Sequence, residues 1–448
     1  MAVLNIQLKQ HTPIIHFQHY QDGATLRASE LKPKLDKFLI DRFKEKHIDY
    51  RKWLIGKGEH PSLNYKMKIV TTDIPDKYLI TSYLKKEYRT LLRENNIKYL
   101  HSMPYFAQEN EISSLFEKID SVITNNTERI KYEYKFNSNN LKNITKWGLM
   151  HSKDIYLIIN SFDNDIINKI AENITSFFVS ENFGTRQSKG FGCFSVITPK
   201  PQKNIEMLLK ENFKYVYKYS TPVKDLQDKL EQIAKDYKLL KAGRGSSERG
   251  GYAKSQLFLY YLNCANSIRW EKRKIKRDIY NHPFKDKQRD NCDIKLKVEK
   301  ENSAIYDKNG KQSWQDPNDG FNYKYIRAVL GLAEQFEFQT DSSRFKYVVQ
   351  LESKNGIERF RSPIQFKVND DQIYLAANDI NDFIFSKAGN NKTFSFKLRL
   401  KINNSLSDKN IFKRNMFDIE TPENFDISKF LDFALVTGNE KINNYQRL

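Results

Sequence analysis

The stretch KDIYLIINSFDNDIINKIAENITSFFVSENFGTRQSKGFGCFSVITP, residues 153–199, changes its hydrophobic period twice. Ile155, Leu157 and Ile159 make a short apolar run suited to a buried strand. Asp163 can then cap a helix carrying Ile166, Ile167, Ile170, Ile174 and Phe177, because its carboxylate accepts from amides that the first helical turn leaves without partners. A loop with Gly184, Gly190 and Gly192 follows, and FGCFSVITP reads as a returning strand ended by Pro199. Strand, helix, loop and strand make half of a ferredoxin-like domain, whose full pattern is two such βαβ halves around one antiparallel sheet.

Upstream, Val3, Leu4, Ile6 and Leu8 follow a strand pattern that Pro13 should interrupt. ATLRASELKPKLDKFLIDRF then places Leu31, Leu35, Phe38, Leu39 and Ile40 at helical spacing, with Ser29 as N-cap and Pro33 tolerated in the first turn. Residues 45–145 hold short strand-like pieces, YKMKIVTTD and IKYEYKF, and read as an insertion in a first domain of residues 1–199. The polar, proline-containing segment 200–224 suits a linker. The remainder, 225–448, opens on the helical DLQDKLEQIAKDYKLL, passes a glycine-rich loop and a basic helical insertion, and offers strands at FKYVVQLES, SPIQFKV, QIYLAA and FSFKLRLKI. The fold class is α+β: two ferredoxin-like domains with antiparallel sheets and helical insertions.

Lysine and arginine number 75 against 55 acidic residues, a formal surplus of 20. Such a surplus favours a polyanionic partner through phosphate neutralisation and counterion release. Nucleic acid leads over a membrane, because the chain has no apolar run of about 18 residues or more, and its first residues lack a signal peptide's charged start and apolar middle. A cytoplasmic location is expected. Cys193, Cys264 and Cys292 show no CxxC pairing, so three buried thiols are expected instead of disulfides or a zinc site.

In the loop, glycines allow left-handed backbone and close approach, while Arg186 and Lys189 add charge. Such a loop can present amide N–H groups and cations to phosphate oxygens, or it can be a glycine-rich turn with solvated charges. It lacks the GxxxxGK[ST] order and follows a helix where a dinucleotide fingerprint must follow a strand, so no nucleotide cofactor is expected. A second basic stretch, SIRWEKRKIKR, sets Arg269, Lys272, Arg273, Lys274, Lys276 and Arg277 on a helix beside Trp270. It reads as a phosphate-tracking surface with an aromatic for base stacking, or as a solvated basic helix. Arg244 and Arg249 in the preceding loop are expected to become ordered on RNA. His11, His16 and His19 crowd the N-terminal strand and loop, where a histidine could act as general base on an RNA 2′-hydroxyl. Asp22 beside Gly23 reads as turn chemistry, and the histidines lack cysteine partners, so no metal is expected.

FGTRQSKGFGCFSV, after its strand and helix, resembles the glycine-rich loop of the RAMP superfamily, the repeat-associated RNA-binding proteins of CRISPR effectors. HTPIIHF and LRASELKPKLDKFL are similar to that family's opening strand, Thr-Pro turn and first helix. YIRAVLGLAEQF and ERFRSPIQFKV are similar to Leu-Gly and Arg-x-Ser-Pro segments late in the two-domain subunit that caps the type III-B (Cmr) effector. The resemblance implies a non-catalytic subunit of an antiviral ribonucleoprotein. It would hold guide RNA, or the guide–target duplex, beside other effector subunits, with Gly184, Arg186, Lys189, Gly190 and Gly192 at the guide. The alternative it leaves open is a metal-independent CRISPR RNA-processing endoribonuclease of the same superfamily. In those enzymes the glycine loop lies close to the C-terminus, whereas here more than half the chain follows it. A general single-stranded RNA binder is a third reading.

Overall fold

The structure is a computed structural model, and it describes residues 1–15, 25–56, 62–81, 84, 86–101, 112, 114–123, 130–144, 147–244, 253–264, 268–286, 291–297, 322–332, 335–342, 344–354, 356–357, 359–387, 390–402, 413–437, 442 and 444–448. In chain order come β1 (Ala2–Gln10), α1 (Ala28–Glu45), β2 (Lys66–Thr71), β3 (Ile155–Ser161), α2 (Asn164–Ser180) and β4 (Phe194–Thr198). They form one antiparallel sheet in the order β4-β1-β3-β2, the complete ferredoxin-like arrangement. Alternation divides its side chains between two faces. Ile6, Leu8, Ile155, Leu157 and Ile159 join Leu31, Leu35, Leu39 and Phe43 of α1 and Ile166, Ile170, Ile174 and Phe177 of α2 in one buried cluster. Asp163 caps α2, accepting from the Asp165 amide at 2.8 Å and the Trp53 indole at 2.9 Å.

Several expectations need correction. α1 starts at Ala28 with Arg27 at its cap, so Ser29 lies inside the helix and Pro33 in its second turn. The proline removes an intrahelical bond there, a cost offset by the buried stripe from Leu31 to Phe43. β2 falls inside 45–145, so part of the expected insertion supplies an edge of the main sheet. Asp76–Thr81 and Tyr99–His101 of that segment join Ile14–Ile15 and Trp147–Met150 in a second small sheet, and the segment also holds helix Lys86–Glu94 and a hairpin of Phe116–Ile123 and Ile130–Phe136. The expected linker holds helix Ile205–Asn212 and strand β5 (Tyr215–Tyr219). Cys193 is buried, but Cys264, at a helix end, and Cys292, in a short hairpin, are exposed.

β5 begins a second ferredoxin-like order, continued by α3 (Leu226–Lys241), β6 (Ile364–Asn369), β7 (Gln372–Ala377), a helix at Ile427–Asp432 and β8 (Tyr445–Arg447). Its sheet runs β6-β7-β5-β8, the same permutation read from the opposite edge. By compactness the chain divides into one unit of Met1–Asp236, Gln365–Ala377 and Asn444–Leu448 and another of Tyr237–Ile364 and Asn378–Asn443. The second sheet, but for Ile364, thus belongs to the first unit, and the division falls within α3.

The second unit is built on a separate antiparallel sheet of Gln335–Gln339, Phe345–Ser353, Thr393–Ile402 and Lys413–Glu420. Tyr325 meets Phe336, Phe394 and Phe396 edge-on in its core. The two late segments singled out in the sequence meet here: Leu332 donates its amide to the Phe360 carbonyl at 3.2 Å, and a Cβ on Gly331 would lie 3.2 Å from the Ser362 nitrogen. Among the described residues no helix is long and apolar enough to cross a membrane.

Candidate nucleic-acid interface

The loop between α2 and β4 has positive φ at Gly184, Arg186, Gly190 and Gly192. Gly192 donates its amide to the Pro13 carbonyl at 2.9 Å and accepts from the Phe183 amide at 3.0 Å. The amides of Gly184, Thr185 and Cys193 donate to the Glu30 carboxylate at 2.7 Å, the Ile15 carbonyl at 2.9 Å and the Thr12 hydroxyl at 3.0 Å. These donors are engaged inside the protein, so the loop is not an open nest of amides.

The same loop is tied to the β6–β7 hairpin within the first unit. Buried Asn182 donates from its amide to the Gln187 carbonyl at 2.6 Å and the Phe366 carbonyl at 2.9 Å. Its oxygen accepts from Lys367 at 2.6 Å, and that buried ammonium also donates to the carbonyls of Phe178 at 3.1 Å and Glu181 at 2.7 Å. Lys367 therefore satisfies carbonyls that the end of α2 would otherwise leave open. The Ser188 carbonyl accepts from the Phe366 amide at 3.2 Å, and the Cys193 thiol sulfur from the Val368 amide at 3.3 Å.

Arg186, expected at a phosphate, is only 8% exposed, with its guanidinium 5.5 Å from the Phe191 ring centroid. Burial pushes its pKa down to about 9. Lys189 is half-buried and its backbone bridges to Phe366. What the glycines provide here is close packing of the loop against its neighbours. A Cβ on Gly184 would lie 2.6 Å from Ile14, and one on Gly190 would lie 2.7 Å from Ile233.

His11 is likewise internal. The Asp370 amide donates to its Nδ1 at 3.0 Å, so the proton sits on Nε2 and is donated to the Ser195 hydroxyl at 2.7 Å. Burial, the largest influence, depresses its pKa to about 4. A neutral ring with both nitrogens engaged is unsuited to general-base work. His16, His19, Asp22 and Arg249 lie outside the described residues.

The other expected cations belong to the second unit. Helix Glu271–Asn281 buries Glu271, Ile275 and Ile279 on one stripe, and Lys272, Arg273, Lys274, Lys276 and Arg277 are half-exposed around it. Glu271 pairs with Arg327, and Asp278 with Arg414. Three of the cations lie over rings: Lys272 on Trp270 at 5.2 Å, Lys274 on Phe417 at 4.7 Å and Arg277 on Tyr323 at 5.3 Å. Trp270 is half-exposed and also packs on Phe258 at 4.9 Å. Arg269 turns back to the Ile268 carbonyl at 3.0 Å, and the Arg244 backbone pairs with Ala253.

The profile of the Cmr1 N-terminal domain matches residues 1–244, and that of the Cmr1 C-terminal domain matches residues 252–447. The chain belongs to the Cmr1 family. It is therefore a subunit of the type III-B Cmr complex, a CRISPR effector, as the glycine loop and the two late segments implied. No curated protein matches it significantly. The two Cmr1 domains divide between residues 244 and 252, later than the 200–224 read from the sequence. Two outward aromatics of this Cmr1 chain, Tyr156 and Phe162, were absent from the expected site, although the alternation that buries Ile155, Leu157 and Ile159 marks position 156 as outward-facing.

Proposed function

We propose that this Cmr1 subunit is a non-catalytic, cytoplasmic RNA-binding component that holds guide RNA, or the guide–target duplex, mainly through phosphate contacts. The observation that carries the reading is the half-exposed basic surface of helix Glu271–Asn281. Its five cations, Lys272, Arg273, Lys274, Lys276 and Arg277, are half-exposed, and three of them lie over aromatic rings. Half-exposed cations interleaved with aromatic rings suit a phosphate backbone and its bases. The enclosed, neutral His11 supports the non-catalytic part.

Replacing Lys272, Arg273 and Lys276 together by glutamine should lower affinity for unrelated RNA sequences about equally, by roughly tenfold at moderate salt. It should also reduce the slope of log affinity against log salt by about 2, the counterion release of three contacts to single strands. Fluorescence anisotropy across a salt series reads both. Undiminished affinity with an unchanged melting temperature would make the helix merely a solvated face.

A further inference from the structure

The core of the first ferredoxin-like sheet lies on one face, under α1 and α2. The register fixes what lies on the other. Val3, Asn160 and Lys66 are directly opposite one another on β1, β3 and β2, as are Asn5, Ile158 and Lys68, and then Gln7, Tyr156 and Val70. Directly opposed residues share a face. Val3 is 49% exposed, Tyr156 38%, and Phe162, just past the end of β3, 91%. Lys66 and Lys68 are exposed and make no ion pair among the described residues. The outward positions of β1, β2 and β3 contain no carboxylate. Acids flank this face at both ends, each already engaged: Asp154 accepts from Gln7 and Asp370 pairs with Lys9 at one, and Asp163, the cap of α2, follows Phe162 at the other.

We infer that this open sheet face is a stacking platform for a single-stranded RNA segment, with bases on Tyr156 and Phe162 and phosphates along Lys66 and Lys68. The inference rests on the RNA-binding reading above and assigns it a second surface. Aromatic rings left in water on a sheet are the feature that lets such sheets bind unpaired bases, which every ring can stack on regardless of sequence. Tyr156 and Phe162 are six residues apart, a span of up to about 20 Å in extended chain, room for a few splayed nucleotides. Charge favours a polyanion over a protein partner here: no outward position of β1, β2 or β3 is acidic, Lys66 and Lys68 make no ion pair among the described residues, and amides at Asn5 and Asn160 suit base edges.

The test uses the full chain and a fluorescein-labelled single-stranded RNA of about 12 nucleotides, within the range one such domain covers. Tyr156→Ala with Phe162→Ala should weaken binding about thirtyfold or more, the loss of two base stacks. The melting temperature should not move, since both side chains already face water. Lys66→Gln with Lys68→Gln should weaken binding and flatten its salt dependence. Wild-type affinity in the aromatic double variant overturns the inference while leaving RNA binding through the basic helix intact. If that variant instead keeps its RNA affinity but no longer co-purifies with the other Cmr subunits, the face is a protein interface and the inference is likewise wrong. A wild-type chain that binds no RNA at all defeats the functional reading itself, and this inference with it.

Discussion

Gly192→Ala is expected to cost more than about 4 kcal/mol, enough to place it among the exceptional single substitutions. The added Cβ would lie 1.9 Å from the Phe183 carbonyl oxygen, with the Phe183 carbon at 2.8 Å and nitrogen at 2.9 Å. All three atoms are backbone, and Phe183 is itself fully buried against Phe177, Phe178 and Phe194. Relief would require parting the Phe183–Gly192 hydrogen bond that closes the loop. The left-handed φ of +66° adds about 1–2 kcal/mol for any residue with a Cβ. Gly56→Ala separates the two causes: its φ is +83°, yet nothing lies within 4 Å of its Cβ position. That variant should lose only the backbone cost of about 1–2 kcal/mol. Urea midpoints of the two variants make the comparison, and equal losses would mean that the loop is not the lock described here.

Glu271→Ala is expected to cost about 3–5 kcal/mol, because it leaves the Arg327 guanidinium charged and buried without its counter-ion. Glu271 is fully buried and Arg327 nearly so, with its guanidinium 3.9 Å from the Phe336 centroid. Half-buried Lys241, whose pKa burial lowers to about 7, shares this environment and is held by the carbonyls of Leu330 and Gly331. Replacing the pair with apolar residues, Glu271→Leu with Arg327→Met, should recover most of the loss, since a buried ion pair is often worth little over well-packed apolar groups. A Glu271→Ala variant as stable as wild type would show that Arg327 has another adequate partner. The loss matters for function because Glu271 anchors the first turn of the basic helix.

Local pattern reveals local structure, and the limits of the sequence reading follow from that. The run from Ile155 to Thr198 was legible as strand, helix, loop and strand because each element carries its own period. β2 was visible only as a strand-like piece, since its place at the sheet edge depends on pairing with β3, far along the chain. The second sheet was harder still: β5 was hidden in an apparent linker, and β6, β7 and β8 are set apart by the separate sheet of the second unit. The glycine loop was found, but its direction was not. Spacing cannot reveal that Arg186 turns inward onto Phe191, or that Lys367 and Asn182 close the end of α2. The basic helix was legible as a cluster of charge, while Glu271's burial needed its partner Arg327, remote in sequence.

We propose that this Cmr1 chain holds RNA of the CRISPR system without cutting it. The most direct measurement is ultraviolet cross-linking of the chain within its assembled complex in the native host, followed by sequencing of the RNA attached to it. Intact, repeat-derived guide sequences are expected, with complementary target RNA when target is present. Cross-linked RNA of random cellular origin, or guides cleaved at the point of attachment, would contradict it.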